Sequence, residues 1–157
     1  MRLLILLFFC AGTQAVFEKS LLTSSPGSAE RHEKAYKDAI KTFDALLLAV
    51  KTRNTELFYR MHGITKVDKE LKELAEQLFE LTKDINFIVK SAIPLGDDKI
   101  EAEVLISLFG DSQIKKGVLK HSIDSQTGYV IANAPTKEKL QKYIKLVLKA
   151  LEDSKNK

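Results

Sequence analysis

The sequence predicts an α+β domain in which N-terminal helices pack on a curved four-stranded antiparallel meander, with an added C-terminal helix. Two changes of period carry that expectation. Apolar residues recur at three- and four-residue steps as far as Ile85, at every second position from Asn86 to Ala134, and at helical steps again after Pro135. An all-α alternative would need Asp97-Asp98, Gly110-Asp111 and Thr127-Gly128 to lie inside helices, and these are turn pairs.

Ahead of the domain, Met1-Arg2 is followed by an apolar run from Leu3 to Ala11 and by Gly12-Thr13-Gln14-Ala15. One positive charge, a short apolar stretch and a small-x-small ending are the parts of a secretory signal peptide, with cleavage after Ala15. The apolar run is about half of the ~20 residues that a membrane-spanning helix needs, so no stable membrane insertion is expected. Cys10, the one cysteine of the chain, would leave with residues 1–15. A secreted, extracellular domain without disulfides must then be held by packing alone. Residues 16–28 read as a flexible arm, because Thr23-Ser24-Ser25-Pro26-Gly27-Ser28 has linker composition. Residues 29–153 make one domain, and 154–157 a frayed tail.

The first helix starts after Ser28 as N-cap and carries Tyr36, Ile40, Phe43, Leu47 and Val50 on its inner face, with Lys34, Lys37, Asp38, Lys41 and Asp44 outside. A short second helix from Asn54 to Met61 turns Leu57, Phe58 and Met61 inward and stops at Gly63. Ile64 to Lys66 is expected to pair briefly as a strand. Asp68 caps a third helix running to about Asp84, with Leu71, Leu74, Leu78, Leu81 and then Ile85 on one face and Lys69, Glu70, Lys72, Glu73, Glu76 and Glu80 in solvent.

Four strands follow, at Asn86–Ile93, Lys99–Phe109, Ile114–Ile123 and Tyr129–Ala134, joined by turns short enough to make neighbours antiparallel. In the second, Ile100, Ala102, Val104, Ile106 and Leu108 share a face opposite Glu101, Glu103 and Ser107. Beyond Pro135, Leu140, Tyr143, Ile144, Val147, Leu148 and Leu151 define the last amphipathic helix, with Lys142, Lys145 and Lys149 as its solvated side.

The helical pair from Ala35 to Gly63, with Leu57-Phe58-Tyr59-Arg60-Met61 as its second member, and the hairpin from Lys120 to Ile131 resemble the nuclear transport factor 2-like superfamily. That cone-shaped fold is shared with ketosteroid isomerase and scytalone dehydratase. The resemblance spans residues 35 to 134. It implies either general acid–base catalysis by an Asp or His with a Tyr inside the cone, or binding without catalysis, because the scaffold serves both. The side chains that could do either are Tyr36, Tyr59, His62, His121 and Tyr129, and of these Tyr59, His121 and Tyr129 are the ligand-binding candidates. Strand alternation sets His121 on the face of Leu119 and Ile123, toward the helices, where an imidazole could serve as a base near neutral pH.

Other chemistries find no residues. His32-Glu33-Lys34-Ala35-Tyr36 begins like a zinc-protease motif but has Tyr36 where the second histidine must stand, so no metal site is expected. No nucleotide-binding glycine loop and no Gly-x-Ser-x-Gly elbow is present, and no cofactor is expected. Without residues 1–15 the chain keeps one basic residue fewer than its 25, against 21 acidic ones, and lysines alternate with carboxylates rather than forming a patch. Nucleic acid is therefore not an expected partner. The leading expectation is a secreted, non-enzymatic domain that binds a small apolar ligand in the cone or a protein partner on the sheet. The alternatives are a cofactor-free isomerase or dehydratase using His121, and a homodimer formed by the outer sheet face, where Leu105 and Phe109 break the polar pattern.

Overall fold

The computed structural model describes residues 27–132 and 136–156, so the expected signal peptide and nearly all of the expected arm lie outside the described residues. Helix α1 spans Ser28–Lys51, α2 Thr55–Arg60 and α3 Lys69–Leu81; strands β1 Asn86–Leu95, β2 Lys99–Leu108, β3 Asp111–His121 and β4 Tyr129–Ile131 follow, and α4 spans Lys137–Lys155. The four strands pair in the order β1-β2-β3-β4, antiparallel throughout, and the sheet is open. This is the α+β architecture expected, with helices, a meander and a C-terminal helix.

Local chemistry sets the boundaries. Asn54, Asp68 and Thr136 cap α2, α3 and α4, each side-chain oxygen accepting from the backbone N–H three residues on. At α1 the cap is Gly27 rather than Ser28, and Ser28 is the first helical residue. The strand expected at Ile64–Lys66 does not form; Ile64 instead donates its N–H to the Tyr59 carbonyl at 2.9 Å, which folds the chain back on α2. The β2–β3 hairpin turns through Phe109 and Gly110, both at positive φ, the mirror-image geometry that matches strand twist. That tight turn starts β3 three residues earlier than alternation suggested.

One core joins inward side chains of every element, among them Phe43, Leu46, Phe58, Tyr59, Leu78, Phe79, Ile100, Ile106, Leu119 and Val147. On β1 the inward alternation of Phe87 and Val89 passes to Ala92, because a bulge at Lys90 inserts one unpaired residue and reverses the phase. The inner face of α1 differs from the expectation. Ala35, Asp38, Ala39, Thr42, Phe43, Leu46 and Ala49 are buried, whereas Tyr36 and Leu48 are exposed. Small side chains share this face with Phe43 and Leu46 and let α1 lie close along β1, so the helix turns Ala35 and Ala39 to the sheet rather than Tyr36.

Candidate functional site

The three ligand-binding candidates separate into two places. Tyr59 is fully buried in the core, where its hydroxyl donates to the Leu71 carbonyl at 2.6 Å and its ring meets Phe58 edge-on at 5.2 Å. It ties α2 to the first turn of α3, and burial pushes its hydroxyl pKa up. His121 and Tyr129 are cross-strand partners at the end of the sheet, with ring centroids 5.6 Å apart and planes nearly perpendicular.

His121 is not enclosed as alternation suggested. Leu119 is buried, but His121 is the last residue of β3 and is exposed, and Ile123 lies beyond the strand at 91 % exposure. The pleat keeps its phase while the cover of helices runs out, so one strand face is core at Leu119 and solvent two residues later. Among the described residues no carboxylate is hydrogen-bonded to the His121 ring. The remaining histidine of the core, His62, is buried on α2's C-terminal side, with Nδ1 2.8 Å from the Phe58 carbonyl.

Tyr129 borders a cleft of about 190 Å³ between the first turns of α1 and the β1–β2 connection. Arg31, Lys34 and Asp38 come from α1, Gly96 and Asp97 from the connection, and Lys99 and Ile100 from β2. Asp38 is the residue that sequence reasoning missed. The pattern of α1 puts it among the solvated lysines, yet its side chain is only 12 % exposed. The signal that finds it is the series of small residues Ala35, Ala39 and Thr42, which marks the sheet-facing side and includes position 38. Lys34 Nζ donates to Asp38 Oδ2 at 2.7 Å. That hydrogen bond, and then the carboxylate charge, raise the Lys34 pKa. The Lys34 ammonium and the Asp38 carboxylate thus offset each other in the wall of the cleft.

The cleft is fastened from both sides. The Thr42 hydroxyl donates to the Asp38 carbonyl at 2.8 Å and lies 3.1 Å from the Thr127 hydroxyl, while Ser125 Oγ donates to the Tyr129 carbonyl at 2.6 Å. These contacts fix Tyr129 relative to α1. Tyr36, the tyrosine of α1, donates its hydroxyl to the Val89 carbonyl at 3.3 Å and lies on the exposed side.

A second surface lies on the far side of the sheet, which no helix covers among the described residues. Register sets Ile88, Leu105 and Ile114 in one row across β1, β2 and β3, with Ile114 59 % exposed and Ile88 45 %. On one side of it runs the uncharged row Asn86, Ser107 and Ser112, in which the two serine hydroxyls are 2.8 Å apart. On the other side are Ser91, Glu103 and Lys116, the lysine sitting 3.6 Å from Glu103 and 3.7 Å from Glu101. Among the described residues no group of three His, Cys, Asp or Glu is placed to hold a metal ion, and no helix is long and apolar enough to cross a membrane. No protein-family model matches the chain, and no curated protein matches it significantly.

Proposed function

We propose that the protein is a secreted, non-enzymatic binding domain of the nuclear transport factor 2-like type, which engages a protein partner on the outer face of its sheet. The apolar row Ile88–Leu105–Ile114 carries this reading, because two isoleucines left in solvent on either side of a half-buried leucine mark an interaction surface. The filled interior supports a partner outside the cone rather than an apolar ligand within it. Phe43, Phe58, Tyr59 and Phe79 are all but inaccessible in the space between helices and sheet.

A second copy of the chain is the partner that the charge pattern fits. A two-fold axis laid along the apolar row stacks Leu105 on its mate and sets the uncharged Ser107–Ser112 row over the Glu103–Lys116 row. No like charges then meet, and the two sheets align as in a sandwich. Sedimentation of the purified protein at about 50 µM should give a dimer, and Leu105→Glu or Ile114→Glu should give a monomer of unchanged circular dichroism. A wild-type protein that remains monomeric under those conditions rejects the second copy as partner.

A further inference from the structure

The charges around the cleft beside Tyr129 cancel within its own walls. Asp38 is matched by Lys34 at 2.7 Å and Asp97 by Arg31 at 3.4 Å. Between these pairs the walls are Ala35, Pro94, Ile100 and Tyr129. Such a hollow favours an uncharged, apolar occupant, because a charged one must either break a pair or stay unmatched. At about 190 Å³ it is somewhat larger than the roughly 150 Å³ cavity known to hold benzene, so one phenyl ring fits. Beyond Tyr129 stands the His121 ring, and two residues further along the chain Ile123 is 91 % exposed.

The chain itself supplies such an occupant. One wall of the cleft is the start of α1, and residues 16–26 lead directly into that helix. Thr23 to Gly27 has linker composition, but the stretch before it carries Val16, Phe17, Leu21 and Leu22. Asp38, the lining residue of α1 farthest from Gly27, is about 16 Å along the helix at 1.5 Å per residue. Extended chain from Gly27 back to Phe17 reaches up to about 33 Å, so the segment can turn at Pro26-Gly27 and still pass the whole cleft. We propose that residues 17–22 fold back over the first turns of α1 and close this cleft in the same molecule. Phe17 fills the hollow against Tyr129 and Ile100, and Leu21 and Leu22 lie on its rim. A short tether keeps the effective concentration of the ring in the millimolar range, so a modest contact is enough to hold it there. The Ser125 and Thr127 contacts hold Tyr129 in place beforehand.

The test uses isotope-labelled protein of residues 16 to 157, made directly so that its outcome does not depend on the proposed cleavage. Nuclear Overhauser contacts from the Phe17 ring to Tyr129 and Ile100 are expected, with backbone order parameters of about 0.8 at Leu21 and Leu22. Phe17→Asp, a change ahead of α1, should lower those order parameters below about 0.6. It should also move the amide signals of Ala35, Ile100 and Tyr129 and leave that of Leu105 in place. Order parameters already below about 0.6 in the wild type, Phe17 contacts with Ile88 or Ile114 instead, or cleft amides that ignore Phe17→Asp would overturn the proposal. So would ring contacts seen only between differently labelled copies, which assign the segment to a neighbouring molecule. The cleft lies on the helix side of the sheet, so Leu105→Glu should leave the Phe17 contacts unchanged whatever it does to oligomeric state.

Discussion

His62 is held without charge by its surroundings. The ring is 4.8 Å from Phe58, its Nδ1 is bonded to the Phe58 carbonyl, and burial pushes its pKa down to about 4 from 6.5. The unfolded chain takes up a proton at this residue near pH 6.5, whereas the folded protein resists until about pH 4. Stability contributed by the neutral ring is therefore complete above pH 6.5 and lost as pH falls toward 4. At 1.36 kcal/mol per pH unit the loss is on the order of 3 kcal/mol by pH 4. Denaturant titrations of wild type and His62→Gln at several pH values should show a stability difference that moves in the variant's favour by that amount between pH 7.5 and 4. A difference independent of pH would show that the ring is charged or solvated in the folded state. Asp38 teaches a related lesson about single residues: from sequence an aspartate between lysines belongs to solvent, but a neighbouring lysine one turn away lets its carboxylate lie against the sheet.

At the scale of elements, α3 shows amphipathic reading at its most direct. Leu71, Leu74 and Leu78 are buried and Lys72, Glu73 and Glu76 exposed, as the leucine spacing predicts, while Leu81 is only partly buried and Phe79 joins the buried face. Leu78→Ala should cost about 2 to 5 kcal/mol, because a leucine in a closed core loses both transfer energy and packing. Lys72→Ala should change stability by less than about 0.5 kcal/mol, since its contact with Glu56, at 3.8 Å, is a solvent-screened pair. Equal costs in thermal unfolding would mean that the helix is rotated. Helix α4 needs more than its own pattern. Leu140, Tyr143, Ile144 and Val147 are buried, and Lys137 reaches Asp68 at 2.7 Å and Glu70 at 2.9 Å on the first turn of α3. Those charge-assisted contacts raise the lysine pKa, Asp68 contributing first. Nothing in the local sequence of α4 announces that α3 is its seat. The pairing of Lys137 with two carboxylates almost seventy residues earlier is a product of the fold.

For the whole molecule, the proposal of secretion rests on residues 1–15 and has its own test. The protein recovered from the medium of an expressing cell should have the mass of residues 16 to 157 with no sugar added; an intact Met1 or retention inside the cell would reject it. Fold class was legible because hydrophobic period is a local property: one face of each helix and strand must be apolar whatever it packs against. Hence the meander, its order and the residues of β2 that face the core all followed from alternation and turn chemistry. The inner face of α1 did not, since whether Tyr36 or Ala35 turns inward depends on how closely a helix can approach the sheet. The enclosure of His121 did not either, because a strand's alternation says which way a side chain points and nothing of what lies there. Convergence of Asp38, Asp97 and Tyr129 on one cleft, and alignment of Ile88, Leu105 and Ile114 in one row, are likewise relations between residues distant in sequence. Local pattern sufficed for the four helices and the four strands of the meander; which polar residues meet depends on tertiary packing, because meeting requires a register and a packing distance that no local pattern contains.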